Sequence, residues 1–311
     1  MVYKLAVYHQ SIPNKKSLEK IQMLQFFAAG AQENGDVVDN VYDHQPVETD
    51  VAVIQGWVAN DIARPHLKLR NNVINQQLAQ HKYVITADSN LFLYAEPTNS
   101  LHYLRYSFNG IFPNTGIYCD SIINPGRWTK IQKDLNISIK DYRTTGKHIL
   151  ICLQRNGGWS MGKQSVVEWA KTVIQKLRQH TNRPIVLRAH PGDKQSRVYL
   201  KQLEALTAQL KFTISTNKNL QDDLTGCWAV VNHNSSPVVA AAIEGYPVFV
   251  TDPDRSQCKE IANTDLGKIE APNLPDRLPW VHRLAMSHWK FDEVRSGEAW
   301  AHMRQFVRDI V

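Results

Sequence analysis

The sequence predicts an α/β protein made of two Rossmann-like, doubly wound domains that face each other across a cleft. Short apolar, β-branched runs alternate with helical patterns in the first part of the chain, as buried parallel strands and crossover helices do. The alternation restarts near residue 147 after an irregular stretch. A chain of 311 residues with 43% hydrophobic residues can bury two such cores.

The first domain is expected over residues 1–146. From about Glu96 to Gly146 prolines and glycines interrupt any regular period, so this stretch is expected to hold loops, one helix near residues 128–135 and a linker. Before it, the pattern predicts strands at 3–8, 37–41, 50–55 and 83–86, with helices at 17–34 and 65–80.

The second domain is expected over residues 147–311. Its pattern predicts a helix at 166–180 and strands at 148–153, 185–187, 212–215, 229–232 and 248–251. The tail after Pro279 is helical in pattern and rich in tryptophan, which suits packing back over the body of the protein. In such sheets ligands bind at the carboxyl ends of the strands, where polar side chains are therefore sought.

Charge, hydropathy and cysteine content indicate which partners and which cellular location to expect. The formal net charge of +7 favours polyanionic partners, although solubility alone explains it equally well. No apolar run approaches the roughly 20 residues that cross a bilayer, so no membrane partner and a cytoplasmic location are expected. The four cysteines are widely scattered and are expected to be reduced and structural.

Three segments could hold an anion. The strand at 148–153 runs into a glycine-rich turn, where Gly157 and Gly158 admit phosphate close to the backbone and Arg155 supplies charge. A mobile turn is the alternative there, since the turn matches neither the nucleotide triphosphatase loop nor the dinucleotide fingerprint. After the next strand, Pro191 fixes the chain behind His190, which is either a phosphate donor or a loop residue. Arg188 is either a salt-bridge partner or a second phosphate contact.

The third segment is the serine pair Ser235-Ser236, which follows an apolar strand and precedes a helix. The hydroxyls and the unpaired N–H groups of the first helical turn would both point at a phosphate. An anion site is predicted there.

The succession strand-Arg-x-His-Pro, strand-x-Ser-Ser and Glu-Gly-x-Pro-Val resembles the donor half of GT-B glycosyltransferases over about residues 147–255. It is most similar to the bacterial sialyl- and capsule-type enzymes. The resemblance implies that His190, Ser235 and Ser236 hold the phosphates of a nucleotide sugar, with a UDP-sugar expected. It also implies that Glu244 contacts the ribose, a solvated helical charge being the alternative.

The segment from Trp289 to Trp300 resembles the ending of phage-encoded glycosyltransferase-like proteins. With the basic charge, this similarity suggests a hydroxylated or hydroxymethylated pyrimidine of phage DNA as acceptor, in the host cytoplasm. A packing helix is the alternative for these residues.

The first domain is expected to bind the acceptor and to supply the general base of an inverting reaction. Asp88 and His9 follow predicted strands and are the candidates, although a helix cap and a loop residue are the alternatives. Arg105 and Asn109, in a basic and aromatic segment, are candidate acceptor contacts, with core packing as the alternative for the aromatics. The adjacent acids Asp222 and Asp223 would point apart in an extended segment, so no metal or other cofactor is expected.

Three alternatives to DNA glycosylation stay open. The first is a glycan- or capsule-type transferase that uses a CMP- or UDP-sugar. The second is a nucleotide-sugar epimerase, and the third is a non-enzymatic module that binds a nucleotide or DNA. The sequence leaves the oligomeric state open.

Overall fold

The computed structural model describes residues 1–13, 17–58, 63–92, 103–156, 159–162, 164–193 and 196–308. The chain divides into two compact units. Unit 1 comprises residues 1–90, 98–130 and 282–311, and unit 2 comprises residues 91–97 and 131–281. Each unit is built on its own sheet, which confirms the predicted two-domain α/β class.

Along the described residues the strands are β1 (Lys4–Tyr8), β2 (Val37–Val41), β3 (Val51–Gln55), β4 (Tyr83–Asp88), β5 (Leu104–Phe108), β6 (His148–Cys152), β7 (Ile185–Arg188), β8 (Phe212–Ile214), β9 (Cys227–Asn232), β10 (Val248–Val250) and β11 (His288–Trp289). The helices are α1 (Leu18–Glu33), α2 (Pro65–Ala79), α3 (Pro125–Leu135), α4 (Val166–Arg178), α5 (Ser196–Glu204), α6 (Thr207–Leu210), α7 (Leu220–Leu224), α8 (Pro237–Ile243), α9 (Leu278–Met286), α10 (Phe291–Arg295) and α11 (Glu298–Arg304).

The sheet of unit 1 has the order β11-β5-β4-β3-β1-β2. Its first four strands in sequence run parallel, whereas β5 is antiparallel to β4 and β11 is antiparallel to β5. The sequence pattern had assigned residues 104–108 to loops, and that assignment is wrong. Tyr106 and Phe108 are buried in this strand, which lies among the proline-interrupted segments that hide its period.

Unit 2 has a fully parallel sheet in the order β10-β9-β6-β7-β8. The chain runs outward from β6 through β7 to β8, then returns to place β9 on the other side of β6. The reversal makes β6 and β9 neighbours at a topological switch point, where doubly wound sheets bind ligands. Both strands are almost entirely buried, as apolar central strands of a parallel sheet should be.

The unit boundaries differ from the expected division at residue 146. Residues 131–146 belong to unit 2, and the tail from His282 returns to unit 1. There the side chains of Trp300 and Arg304 both donate to the buried carboxylate of Asp36. Burial opposes ionisation of Asp36, but hydrogen bonds from Arg304, the Tyr3 backbone and Trp300 outweigh it and hold its pKa below the ordinary value. The tail therefore completes the core of unit 1.

The four cysteines are buried and free, which confirms the structural role expected for them. Across the ranges described above, no helix has both the length and the apolar character needed to span a membrane.

Candidate functional site

The switch point of unit 2 brings together loops that are far apart in sequence. The loop after β6 begins at Leu153, whose N–H donates to the Arg188 carbonyl at the end of β7 (2.8 Å). The loop after β9 carries the serine pair, and the segment after β10 begins at Thr251, whose N–H donates to the Asn232 carbonyl (3.1 Å). Four strand ends are therefore tied together at one edge of the sheet.

A buried pair of amides fixes two of these loops. Gln154 Nε2 donates to Asn234 Oδ1 (2.8 Å), and the Asn234 backbone N–H donates back to Gln154 Oε1 (3.0 Å). Gln154 Nε2 also donates to Ser160 Oγ (2.9 Å). The two amide side chains are 3% and 6% exposed, so water competes little for these bonds. This reciprocal amide pair holds the loop after β6 against the loop after β9.

The network continues to the end of β10. Asn234 Nδ2 donates to Asp252 Oδ2 (2.9 Å). The Thr251 hydroxyl oxygen accepts from Trp169 Nε1 (2.9 Å) and lies 2.7 Å from His233 Nδ1. A cavity of about 300 Å³ adjoins these groups and runs along α4, where Trp169, His233 and Thr251 form part of its lining. Hydrogen bonds thus join the loops at this edge of the sheet, and the cavity adjoins His233 in the loop after β9.

His190 lies in the loop after β7, as the sequence predicted. Its Nδ1 accepts the backbone N–H of Gly192 (3.1 Å), so the proton of the neutral ring is on Nε2. Burial lowers the pKa of His190, and the neighbouring Arg155 lowers it further. The ring is therefore neutral at pH 7, and its Nε2 carries an N–H donor.

Arg155 lies beside this histidine loop. Its terminal nitrogen Nη2 is 3.2 Å from the position that a Cβ on Gly192 would occupy, so the glycine leaves room for the guanidinium. The next residue, Asn156, donates its backbone N–H to Asp193 Oδ2 (2.8 Å), which ties the two loops together. The other two predicted members of this turn, Gly157 and Gly158, lie outside the described residues.

The serine pair stands at the start of α8, as predicted. Ser236 is the exposed residue that precedes the helix. Asn232 Nδ2 donates to the carbonyl (2.8 Å) and to the Oγ (2.9 Å) of Ser235. Because a hydroxyl that accepts keeps its own proton to donate, Asn232 orients Ser235 as a donor.

Two further residues named as donor contacts have other positions. Glu244 follows the last residue of α8, about 12 Å from Ser236 at 1.5 Å per residue. It therefore lies near the amino edge of the sheet, next to the residues that lead into β10, and the ribose contact stays a prediction. Arg188 forms an ion pair with Asp223 (2.5 Å) and donates to the carbonyls of residues 217 and 218. The ion pair agrees with the expected salt-bridge role of Arg188, and the alternative phosphate contact stays a prediction.

In unit 1 the two candidate bases lie at strand ends. His9 follows β1, its ring stacks on Tyr42 with centroids 4.5 Å apart, and its Nε2 is 2.8 Å from Asn40 Oδ1. Asp88, the last residue of β4, forms an ion pair with Arg105 at 2.7 Å. One candidate base is therefore paired with the residue predicted to contact the acceptor.

Asn109 pairs with the backbone of β4, and the acceptor contact stays a prediction. Its Oδ1 accepts the backbone N–H of Val84 and its own N–H donates to the Val84 carbonyl, both at 2.8 Å. The residue has a φ of +58°, a conformation that asparagine tolerates better than most side chains. Asn109 thus terminates β5 against β4, and its side-chain oxygen serves the backbone.

Sequence reasoning missed the amide pair and the groups after β10. Each of these residues lies within two residues of a strand's end: Gln154 after β6, Asn234 after β9, and Thr251 and Asp252 after β10. Position alone could have found them, because every polar residue at the carboxyl end of a parallel strand is a candidate. Their pairing could not be found this way, since 80 residues separate Gln154 from Asn234.

Two Rossmann-like units, one of them with a fully parallel switch-point sheet, define the GT-B fold class. No family model and no curated protein matches the chain. Among solved structures it is similar to two KpsC structures from Thermosulfurimonas dismutans. With the beta Kdo 2,4 transferase it shares 11% identity at a TM-score of 0.52, over 88% of this chain and 90% of the other. With the beta Kdo 2,7 transferase the values are 15% and 0.50, over 98% and 100%. At such identities the similarity shows the fold.

Proposed function

We propose that this protein is a glycosyltransferase that moves a sugar from a nucleotide sugar to an acceptor hydroxyl. One observation carries the proposal: His190, Arg155 and Ser235 lie at the switch-point edge of unit 2, and each has a donor group for an anion. Hydrogen bonds within the protein fix the loops that carry them. A phosphate would meet donors whose orientation costs little further entropy.

The chemistry follows from where charge develops. As the glycosidic bond to the phosphate breaks, negative charge grows on the leaving oxygen, and fixed donors stabilise that charge more than they stabilise the ground state. Arg155 supplies a cation, and His190 supplies a neutral N–H. Ser235 and Ser236 supply hydroxyls. We propose that this set carries the reaction without a divalent metal, which a transfer assay with and without EDTA tests.

We propose His9 as the general base of an inverting reaction. Asn40 Oδ1 can only accept, so the nearby Nε2 of His9 carries the proton and Nδ1 keeps its lone pair. Asp88 was favoured by sequence, but its carboxylate is held by Arg105. A hydroxyl attacks better as its proton leaves, and Nδ1 is the group suited to take it.

We propose a carbohydrate acceptor. The two similar structures are named as transferases of the sugar Kdo. The expectation of a DNA acceptor depends on the net charge and on the tail segment from Trp289 to Trp300. The two tryptophans that bound this segment are only 3% and 1% exposed. Because these side chains pack in the core of unit 1, the net charge is the one remaining argument for a DNA acceptor. UDP- and CMP-sugars are both candidate donors.

A transfer assay tests the proposal. Purified protein is incubated with UDP- and CMP-sugars, first alone and then with oligosaccharide acceptors or hydroxymethylated DNA. Nucleotide release that depends on an oligosaccharide is the expected result. Turnover of the donor alone into a new nucleotide sugar would indicate an epimerase, and dependence on DNA would restore the first acceptor hypothesis. If no nucleotide sugar is bound or consumed, the proposal fails.

A further inference from the structure

Arg70 is a buried cation at the carboxyl edge of the sheet of unit 1. The side chain comes from the second turn of α2, and the residue is 6% exposed. Its Nε donates to the carbonyl of Ser11, which follows β1, at 2.7 Å. Its Nη2 donates to Oε1 of Gln55, the last residue of β3, at 3.2 Å. Arg70 therefore joins two strand ends through two neutral acceptors.

A buried charge normally has a partner of opposite sign, because desolvation without one is costly. Burial lowers the pKa of Arg70 to about 10, so the guanidinium is still charged at pH 7. Within the described ranges, which omit residues 14–16 and 59–62, no carboxylate pairs with it. The two bonds use two of the five N–H groups of the guanidinium, and the other N–H groups suit an oxyanion.

A glycine packs against the guanidinium, and a neighbouring lysine increases the positive potential there. A Cβ on Gly56 would lie 3.0 Å from Nη1 of Arg70, and Gly56 has a φ of +76°, where a side chain is strained. Lys20 lies close enough that Arg70 lowers its pKa, although burial is the larger cause. A second cation therefore adds to the charge that Arg70 presents.

We propose that Arg70 binds an acidic group, a carboxylate or a phosphate, on the acceptor. The inference rests on the proposed transferase function and extends it by naming the chemical class of the acceptor. Arg70 donates to Ser11, which lies in the same short helical turn as His9, the proposed base. An acceptor anchored by its acidic group at Arg70 would have its hydroxyl in the neighbourhood of that base.

The test compares acidic with neutral sugars on the full-length protein. Glucuronate, glucose 6-phosphate and glucose are titrated by isothermal calorimetry into wild type and the variants Arg70→Gln, Arg70→Lys and Lys68→Gln. Lys68 is exposed on the same helix and loses the same charge, so it is the matched control. We expect wild type and Lys68→Gln to bind at least one acid at least tenfold more tightly than glucose, with the preference lost in Arg70→Gln and reduced in Arg70→Lys.

Comparison of glucuronate with glucose 6-phosphate shows whether the site prefers a carboxylate or a phosphate. Equal affinity for acids and glucose in wild type overturns the inference without any variant, so it stays testable even if Arg70→Gln fails to fold. An acid preference that survives in folded Arg70→Gln also overturns it. Donor nucleotide binding, measured in the same samples, separates the two proposals. If the donor binds and the acids show no preference, only this inference fails; if the acids bind and no donor does, the transferase proposal fails.

Discussion

Removing the imidazole of His190 should weaken binding of the donor nucleotide. In the proposed complex the neutral ring donates one hydrogen bond from Nε2 to a charged phosphate oxygen. Hydrogen bonds to charged groups contribute about 1.5–3 kcal/mol, and about 1.4 kcal/mol corresponds to a factor of ten. His190→Ala should therefore raise the donor Kd about 10- to 150-fold in isothermal calorimetry. His180→Ala, an exposed histidine just after α4, should leave the Kd unchanged.

The pH dependence provides a second readout of the same side chain. The folded-state pKa of His190 lies below the ordinary value of about 6.5, so the ring is mostly neutral from pH 8 down to about pH 6.5. Protonation at lower pH adds a positive charge beside the phosphate, and binding should then tighten. The acid-side tightening should disappear in His190→Ala. An unchanged Kd in this variant, or an identical pH profile in wild type and variant, would refute the reasoning.

Three further predictions concern stability, each measured by urea denaturation. Gln154→Leu leaves the buried Asn234 N–H and Oδ1 without partners, at about 1–3 kcal/mol each, and should lower the free energy of unfolding by about 2–6 kcal/mol; a loss below 1 kcal/mol would contradict the role of the amide pair. Burial lowers the pKa of His288 to about 3, so the unfolded state binds more protons and stability falls as pH drops from about 6.5 toward 3. The loss should be about 2 kcal/mol at pH 5 and should be absent in His288→Leu; an equal loss in both proteins would contradict it. Gly30→Ala places a Cβ against the Val294 carbonyl and should destabilise unit 1 by about 1–3 kcal/mol, whereas a neutral substitution would show that the tail does not pack closely on α1.

The strands at the centre of each sheet were predictable because their sequences are apolar and β-branched. The pattern also placed His190, Ser235 and Ser236 after such strands, and each lies within four residues of the strand's end. The short antiparallel strand β5 gave a weaker signal, because it lies in a segment broken by prolines. The return of the tail to unit 1 depends on contacts such as Arg304 with Asp36, which 268 residues separate.

Arg70 shows what the local sequence cannot reveal. Its local sequence marks it as one polar residue of a helix, and only the tertiary fold buries it next to Ser11 and Gln55. The tertiary fold decides whether a single polar side chain is buried and which group it pairs with, so the local sequence does not predict either.

Amide hydrogen exchange with and without nucleotide tests the central claim most directly. Full-length protein is exchanged alone and with saturating UDP or CMP, and the peptides are compared by mass spectrometry. The account predicts slower exchange on nucleotide binding in peptides containing residues 153–156, 190–193 and 234–237. Unchanged exchange in all three segments with a nucleotide shown to bind, or protection confined to other parts of the chain, would contradict the claim that this edge of unit 2 is the donor site.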